Sequence, residues 1–235
     1  MRRILALVVL ALAGSVGSAQ ATTVTFEDLA LDSMGIGGDR TSGGFFFDTA
    51  LNHSHIDNGT GGWNTTDGTK FMMVDNVAAN PLGINNSITF SPTGGAPFSL
   101  NVIDISEAGG GGTPTTGGDA NGCCSTYAHQ IEVTGNLVGG GTVFRLLTLN
   151  YNGTTIPSFG FETFTFNSDW DNLSSVVLEG IGASCCGNNA ASRGNYFAID
   201  NIGVDVAATV PEPGTLSLLG LGSAYLIRRR QRNRR

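Results

Sequence analysis

The chain has 235 residues, with 19 acidic against 12 basic side chains and a net charge of −7. Eight of the basic residues sit at the two ends, so residues 22–209 hold four cations (Arg40, Lys70, Arg145, Arg193) against 18 acids, a net of −14. A body of that sign repels phosphate backbones and anionic lipid and attracts cations, which excludes nucleic acid as a partner.

The N-terminus reads as an export address. Arg2 and Arg3 precede an apolar run over residues 4–13, which is too short to span a bilayer comfortably. Ala19-Gln20-Ala21 then supplies the small-x-small pattern of a signal peptidase site. Residues 1–21 are expected to be a signal peptide, and residues 22–209 one domain of an exported protein.

Within that domain the hydrophobic pattern alternates. "TTVTFEDL" places Val24 and Phe26 on one face and Thr23 and Thr25 on the other. "NSITF", "FSLNVIDIS", "HQIEVTGNL", "TVFRLLTLNY", "ETFTF", "LSSVVLEGIG" and "YFAIDNIGVDV" are further short runs, most of them rich in β-branched and aromatic residues. Turn formers separate them, and "VGGGT" at 138–142 suits a hairpin because glycine accepts positive φ. Many short strands without alternating helices predict an all-β fold, a two-sheet antiparallel jelly-roll sandwich.

Several residues stand out as candidates for binding. His53 and His55 lie two apart in "NHSHIDNGTGGW", which on a strand puts both on one face, suited to a metal with Asp57 or to hydrogen-bonding a sugar. Trp63, in the glycine-rich stretch that follows, has the flat apolar ring that stacks on a sugar. Trp170 precedes a strand and is expected to pack over the sandwich edge, and Phe45 to Phe47 to serve the core.

The four cysteines form two vicinal pairs, Cys123-Cys124 and Cys185-Cys186. In an oxidising compartment disulfides are expected. Two bridges between the pairs are open, Cys123 with Cys186 and Cys124 with Cys185, or the parallel arrangement. The rival is a four-thiolate zinc site, for which vicinal cysteines are poorly spaced.

In the last run, Tyr196, Ala198, Asp200, Ile202 and Val204 share one face by strict alternation, and that face reads as the core side. Asp200 is then an inward carboxylate in need of a partner. The "FED" at residues 26–28, the central "GTKFMMVDN" and the terminal "FAIDNI" together resemble the bounding strands of jelly-roll carbohydrate-binding modules. The resemblance implies a structural calcium held by Glu27 and Asp200, with Asp28 or Asp75 as helpers.

The chain ends "VPEPGTLSLLGLGSAYLIRRRQRNRR". Pro211-Glu212-Pro213 comes first, then an apolar segment over 214–227 of transmembrane character, then a basic tail that the positive-inside rule keeps cytoplasmic. Residues 210–235 resemble the PEP-CTERM sorting signal of Gram-negative bacteria. That resemblance implies an exosortase as partner, the inner membrane as a stage in transit, and the cell surface or an extracellular matrix as destination. No nucleophile elbow, zinc-protease or phosphate-loop motif is present, and among 18 acids no carboxylate pair is singled out by spacing. Two readings follow. The first is a non-catalytic binding or structural module, with exopolysaccharide as its ligand. The alternative is an envelope enzyme acting on glycans.

Overall fold

In a computed structural model, the structure describes residues 20–32, 38–49, 53–59, 68–75, 87–107, 128–150, 160–181 and 196–207, together with Gly220 and Ser223. The described residues contain the strands β1 (Gln20–Val24), β2 (Arg40–Ser42), β3 (Phe45–Asp48), β4 (His53–Asp57), β5 (Phe71–Asp75), β6 (Ser87–Pro92), β7 (Phe98–Glu107), β8 (Gln130–Leu137), β9 (Thr142–Thr148), β10 (Glu162–Thr165), β11 (Leu173–Ile181) and β12 (Phe197–Val206). One turn of 3₁₀ helix, Ser168–Trp170, precedes β11. Contacts divide the chain into two units, Ala21–Val206 and the two terminal stretches taken together. In the second unit Gly220 and Ser223 are helical. Among the described residues no helix is long and apolar enough to cross a membrane.

The strands form one hydrogen-bonded network of twelve, antiparallel in every pairing among β2 to β12, that doubles over as two layers, here the first and second sheets. The first runs β2-β3-β6-β11-β8-β9, and the second runs β4-β5-β12-β7-β10, with β1 also on β12. They touch in register at one place, Leu173 of β11 opposite Phe98 of β7. From β5 to β8 each strand changes sheet. After the β8–β9 hairpin, the chain changes sheet again at β10, β11 and β12. This exchange is the jelly-roll sandwich that the pattern of short strands predicts. The hairpin turns on Gly139, Gly140 and Gly141, at φ of 91°, 103° and 90°, values that side chains with a Cβ avoid.

The inner faces of the two sheets supply the core. Val24 and Phe26 enter from the N-terminal segment, Phe45 and Phe47 from β3, Ile88 and Phe90 from β6, Phe98 and Leu100 from β7, and Val176 and Leu178 from β11. Phenylalanine edges meet phenylalanine faces here: Phe26 on Phe47 at 5.1 Å and Phe45 on Phe98 at 5.2 Å, both steeply inclined. Such pairs contribute about 0.5–1.5 kcal/mol each beyond the area they bury. Between Phe45 and Phe47, Phe46 points the other way and is 36% exposed. Trp170 packs at the sandwich edge, 4% exposed, with its ring against Phe166 at 4.7 Å.

One sequence expectation fails at β12. Ile202 and Val204 do face the core, but Ala198 and Asp200 face away from it, and Phe197 and Ile199 take the core side instead. The alternation breaks between Asp200 and Gly203, where Asn201 adopts φ of 45°. β7 breaks at the same level: Leu100 and Ile103 both face the core, three residues apart. A bulge shifts every later side chain by one face. Because both strands bulge together, they stay paired on either side.

Candidate functional site

The second sheet has an outer face, turned from the core, and its register assembles residues distant in sequence. One row crosses four strands: His55 of β4, Met73 of β5, Ala198 of β12 and Ser106 of β7 are successive neighbours. A second row joins Asp200 of β12, Asp104 of β7 and Thr163 of β10. Asp57 lies opposite Phe71 at the end of the face. Residues opposite one another in adjacent strands project from the same side of a sheet.

The face combines apolar and polar groups. Phe71, Met73 and Ala198 are buried, and half-buried Phe161 and Tyr196 pack against them. The ring of Phe161 meets that of Phe71 edge-on at 5.7 Å. Beside this apolar patch, Asp104 accepts from Thr163 Oγ1 at 2.6 Å through Oδ1 and from Asn201 Nδ2 at 3.0 Å through Oδ2. Asp200 is fully buried, and its Oδ2 accepts from Thr69 Oγ1 at 3.0 Å. His55 Nε2 lies 3.5 Å from Asp57 Oδ2. Asp57 Oδ1 accepts from the backbone N–H of Asn58 and Gly59, at 2.6 and 2.7 Å.

Asp104 and Asp200 stand directly opposite each other. Like charges in that relation destabilise a sheet unless other groups compensate. The donors on Asp104 and Asp200 from Thr163, Asn201 and Thr69 supply that compensation. What results is a patch of carboxylate acceptors and neutral hydroxyl and amide groups around two partly exposed rings. This chemistry hydrogen-bonds hydroxyls and stacks on apolar ring faces.

The candidates read from the sequence divide between inside and outside this face. His55 belongs to it. His53 pairs with Asp75 of β5 in the backbone register, and the side chains of both lie outside the described residues. Trp63, the four cysteines Cys123, Cys124, Cys185 and Cys186, and Pro211, Glu212 and Pro213 also lie outside the described residues.

Of the calcium ligands implied by resemblance, Asp75 has its side chain outside the described residues, and Glu27, Asp28 and Asp200 each accept from a donor of the chain. Asp200 is on the outer face, not inward. Exposed Asp28 accepts from Ser42 Oγ of β2. Glu27 accepts the Lys70 backbone N–H at 2.8 Å through Oε1. The Lys70 ammonium donates to the carbonyl oxygens of Glu27 and Leu29, at 2.8 and 2.7 Å. A cation of the chain's own thus occupies the carbonyls on either side of Asp28, and these residues do not fit a calcium site. Among the described residues no group of three or more His, Cys, Asp or Glu is placed to hold a metal ion.

No sequence motif marks Asp104, Thr163, Asn201 or Phe161 as site residues, and Tyr196, read there as core-side, packs instead with Phe71, Met73 and Ala198. The faint signal was "IDIS" in β7, where Asp104 alternates with two core isoleucines. Glu107, at the end of β7, lies on the core side opposite Phe197 and is 3% exposed. Burial pushes its carboxyl up to about 7; a backbone hydrogen bond opposes the rise and the charge of Glu162 adds to it.

Among solved structures, the chain is similar to a DUF4465 family protein from Bacteroides caccae, at 14% identity and a TM-score of 0.47, over 79% of this chain and 98% of that one. It is also similar to the CBM22-1-GH10 modules of the xylanase Xyn10B from Clostridium thermocellum, at 10% identity and a TM-score of 0.38, over 80% of this chain and 28% of that one. The C-terminal family 22 carbohydrate-binding module of the same xylanase matches at 12% identity and a TM-score of 0.35, over 81% and 94%. No curated protein matches. Residues 209–231 match the PEP-CTERM protein-sorting motif, so the Pro-Glu-Pro segment, apolar run and first arginines together are a sorting signal that marks the chain for export.

Proposed function

We propose that this protein is an exported surface or matrix module that binds carbohydrate on the outer face of its second sheet and does not turn it over. In this reading an exosortase acts at Pro211-Glu212-Pro213 after residues 1–21 are removed. The apolar segment at 214–227 holds the chain in the inner membrane in transit, and the body at 22–209 passes to the cell surface or extracellular matrix of a Gram-negative bacterium. The observation that carries the binding function is the outer face itself: two half-buried rings, Phe161 and Tyr196, with half-buried Asp104 and exposed Thr163 on the same sheet, while Asp200, His55 and Asp57 are buried. Both rings pack against the buried Phe71, Met73 and Ala198 of this face and stay partly accessible.

Charge narrows the ligand. Of the three described cations, Arg40 pairs with Asp32 at 2.7 Å, Lys70 holds the carbonyls of Glu27 and Leu29, and Arg145 donates to the Thr165 carbonyl. None serves this face, which carries carboxylates. A neutral or amino-bearing glycan suits it, and a uronate or sulfated one is repelled.

A glycan array with the native secreted protein, run beside a hydrolysis screen, tests the proposal. Retention of neutral or amino-bearing glycans, no turnover, and loss of retention of about tenfold or more in Phe161→Ala are expected. Turnover that a single carboxylate substitution abolishes would replace this reading with an enzymatic one. Retention unaffected by both Phe161→Ala and Asp104→Asn would move the site elsewhere.

A further inference from the structure

We infer that the Lys70 ammonium is the resident cation of the turn following β1, and that the joint between this turn and the second sheet holds without a divalent ion. The turn at residues 26–29 leaves β1 with its carbonyls converging. The Lys70 Nζ donates to Glu27 O at 2.8 Å and to Leu29 O at 2.7 Å, while the Lys70 backbone N–H donates to Glu27 Oε1 at 2.8 Å. One residue therefore grips the turn by its main chain and its side chain at once. Its neighbour Thr69 donates to Asp200 Oδ2 at 3.0 Å. The dipeptide Thr69-Lys70 ties the first turn to the last strand just before the chain enters β5.

A calcium ion at this place needs about six to eight oxygen ligands. Two carbonyls already face a half-buried ammonium. The Glu27 carboxylate accepts a backbone N–H, and Asp28 is turned toward Ser42. A divalent ion entering here meets a fixed positive charge and acceptors already engaged with protein donors. The ammonium supplies the same service, neutralising converging carbonyl dipoles with hydrogen bonds in place of coordination bonds. An exported protein so built keeps this joint in media of any calcium content.

Thermal unfolding of the native secreted protein, followed by circular dichroism, tests this. The wild-type midpoint is expected to be the same in millimolar calcium, in magnesium and in EDTA. Lys70→Met keeps the aliphatic stem and removes the charge, and is expected to lower the midpoint by about 3–6 °C. A wild-type midpoint that falls in EDTA and returns with calcium overturns the inference, whether or not the variant folds. A Lys70→Met midpoint equal to wild type overturns it as well.

Discussion

Arg145 of β9 reaches across the open edge of the sandwich to Phe166, its guanidinium carbon 5.2 Å from the ring centroid. It also donates through Nη1 to the Thr165 carbonyl. β9 is an edge of the first sheet and β10 an edge of the second, so this contact closes the side where the two sheets would part. Phe166 in turn packs on Trp170. An inward-turned charge on an edge strand also discourages pairing with another chain.

Arg145→Ala removes the stacking and the charged hydrogen bond together. The expected loss is about 1–2 kcal/mol, discounted for partial exposure, or roughly 2–6 °C in the unfolding midpoint. Lysine has no flat guanidinium, so Arg145→Lys should recover less than half of the loss. Differential scanning calorimetry of the three proteins checks it; equal midpoints for arginine and lysine would remove the stacking argument.

Gly203 sits opposite Val102 in the paired bulge, where an added Cβ would meet Val102 Cγ1 at 2.5 Å. Gly203→Ala is expected to cost about 1–3 kcal/mol through overpacking against a stiff β-branched side chain. Trimming the neighbour should give part of this back, so Gly203→Ala with Val102→Ala should be less destabilised than the single costs sum to. Urea unfolding of the four proteins measures that coupling, and strict additivity would count against the contact.

Glu107 predicts a pH dependence. Its folded carboxyl titrates near 7, against an ordinary value of 4.5, chiefly because burial disfavours the charged form. The folded state binds the proton more tightly than the unfolded state. Its contribution is therefore full below pH 4.5 and is lost as pH rises through 7, an amplitude of up to roughly 3 kcal/mol. The Glu162 carboxylate, whose two oxygens hold the Asn150 backbone N–H and Nδ2 at 2.7 and 2.6 Å, adds repulsion once Glu107 ionises. Glu107→Gln stays neutral throughout. Unfolding midpoints between pH 4.5 and 8 should fall less steeply in this variant than in wild type; parallel curves would show that another group sets the dependence.

The vicinal cysteine pairs lie on segments about sixty residues apart, and two bridges between them are proposed for the mature protein. Each is expected to contribute roughly 3–4 kcal/mol by restricting the unfolded chain. Intact mass spectrometry of the secreted form, with alkylation before and after reduction, should find no reactive thiol before reduction and four after it. The same spectrum locates both processed ends. Four thiols free at the outset, or a bound zinc, would refute the bridges.

Most strands could be read from the chain itself, because alternation and turn composition are local. "NSITF", "HQIEVTGNL" and "LSSVVLEGIG" became β6, β8 and β11 with boundaries shifted by a few residues. The glycine run at 138–142 turned where positive φ is needed. The C-terminal sorting signal was legible for the same reason: it is a contiguous stretch recognised by its own charge and hydropathy.

The binding face could not be read that way. Whether Asp200 points into the core depends on Asn201, whose positive φ reverses the alternation, and that reversal is tolerated only because β7 bulges beside it. Asp104, Thr163 and Asp200 become neighbours through pairing between strands up to about a hundred residues apart. Local sequence determined most of the segments that are strands and the C-terminal signal that marks the chain for export. The tertiary fold decided which side chains share a surface, because register is set by long-range hydrogen bonding and packing, and one residue of slip turns a face inside out.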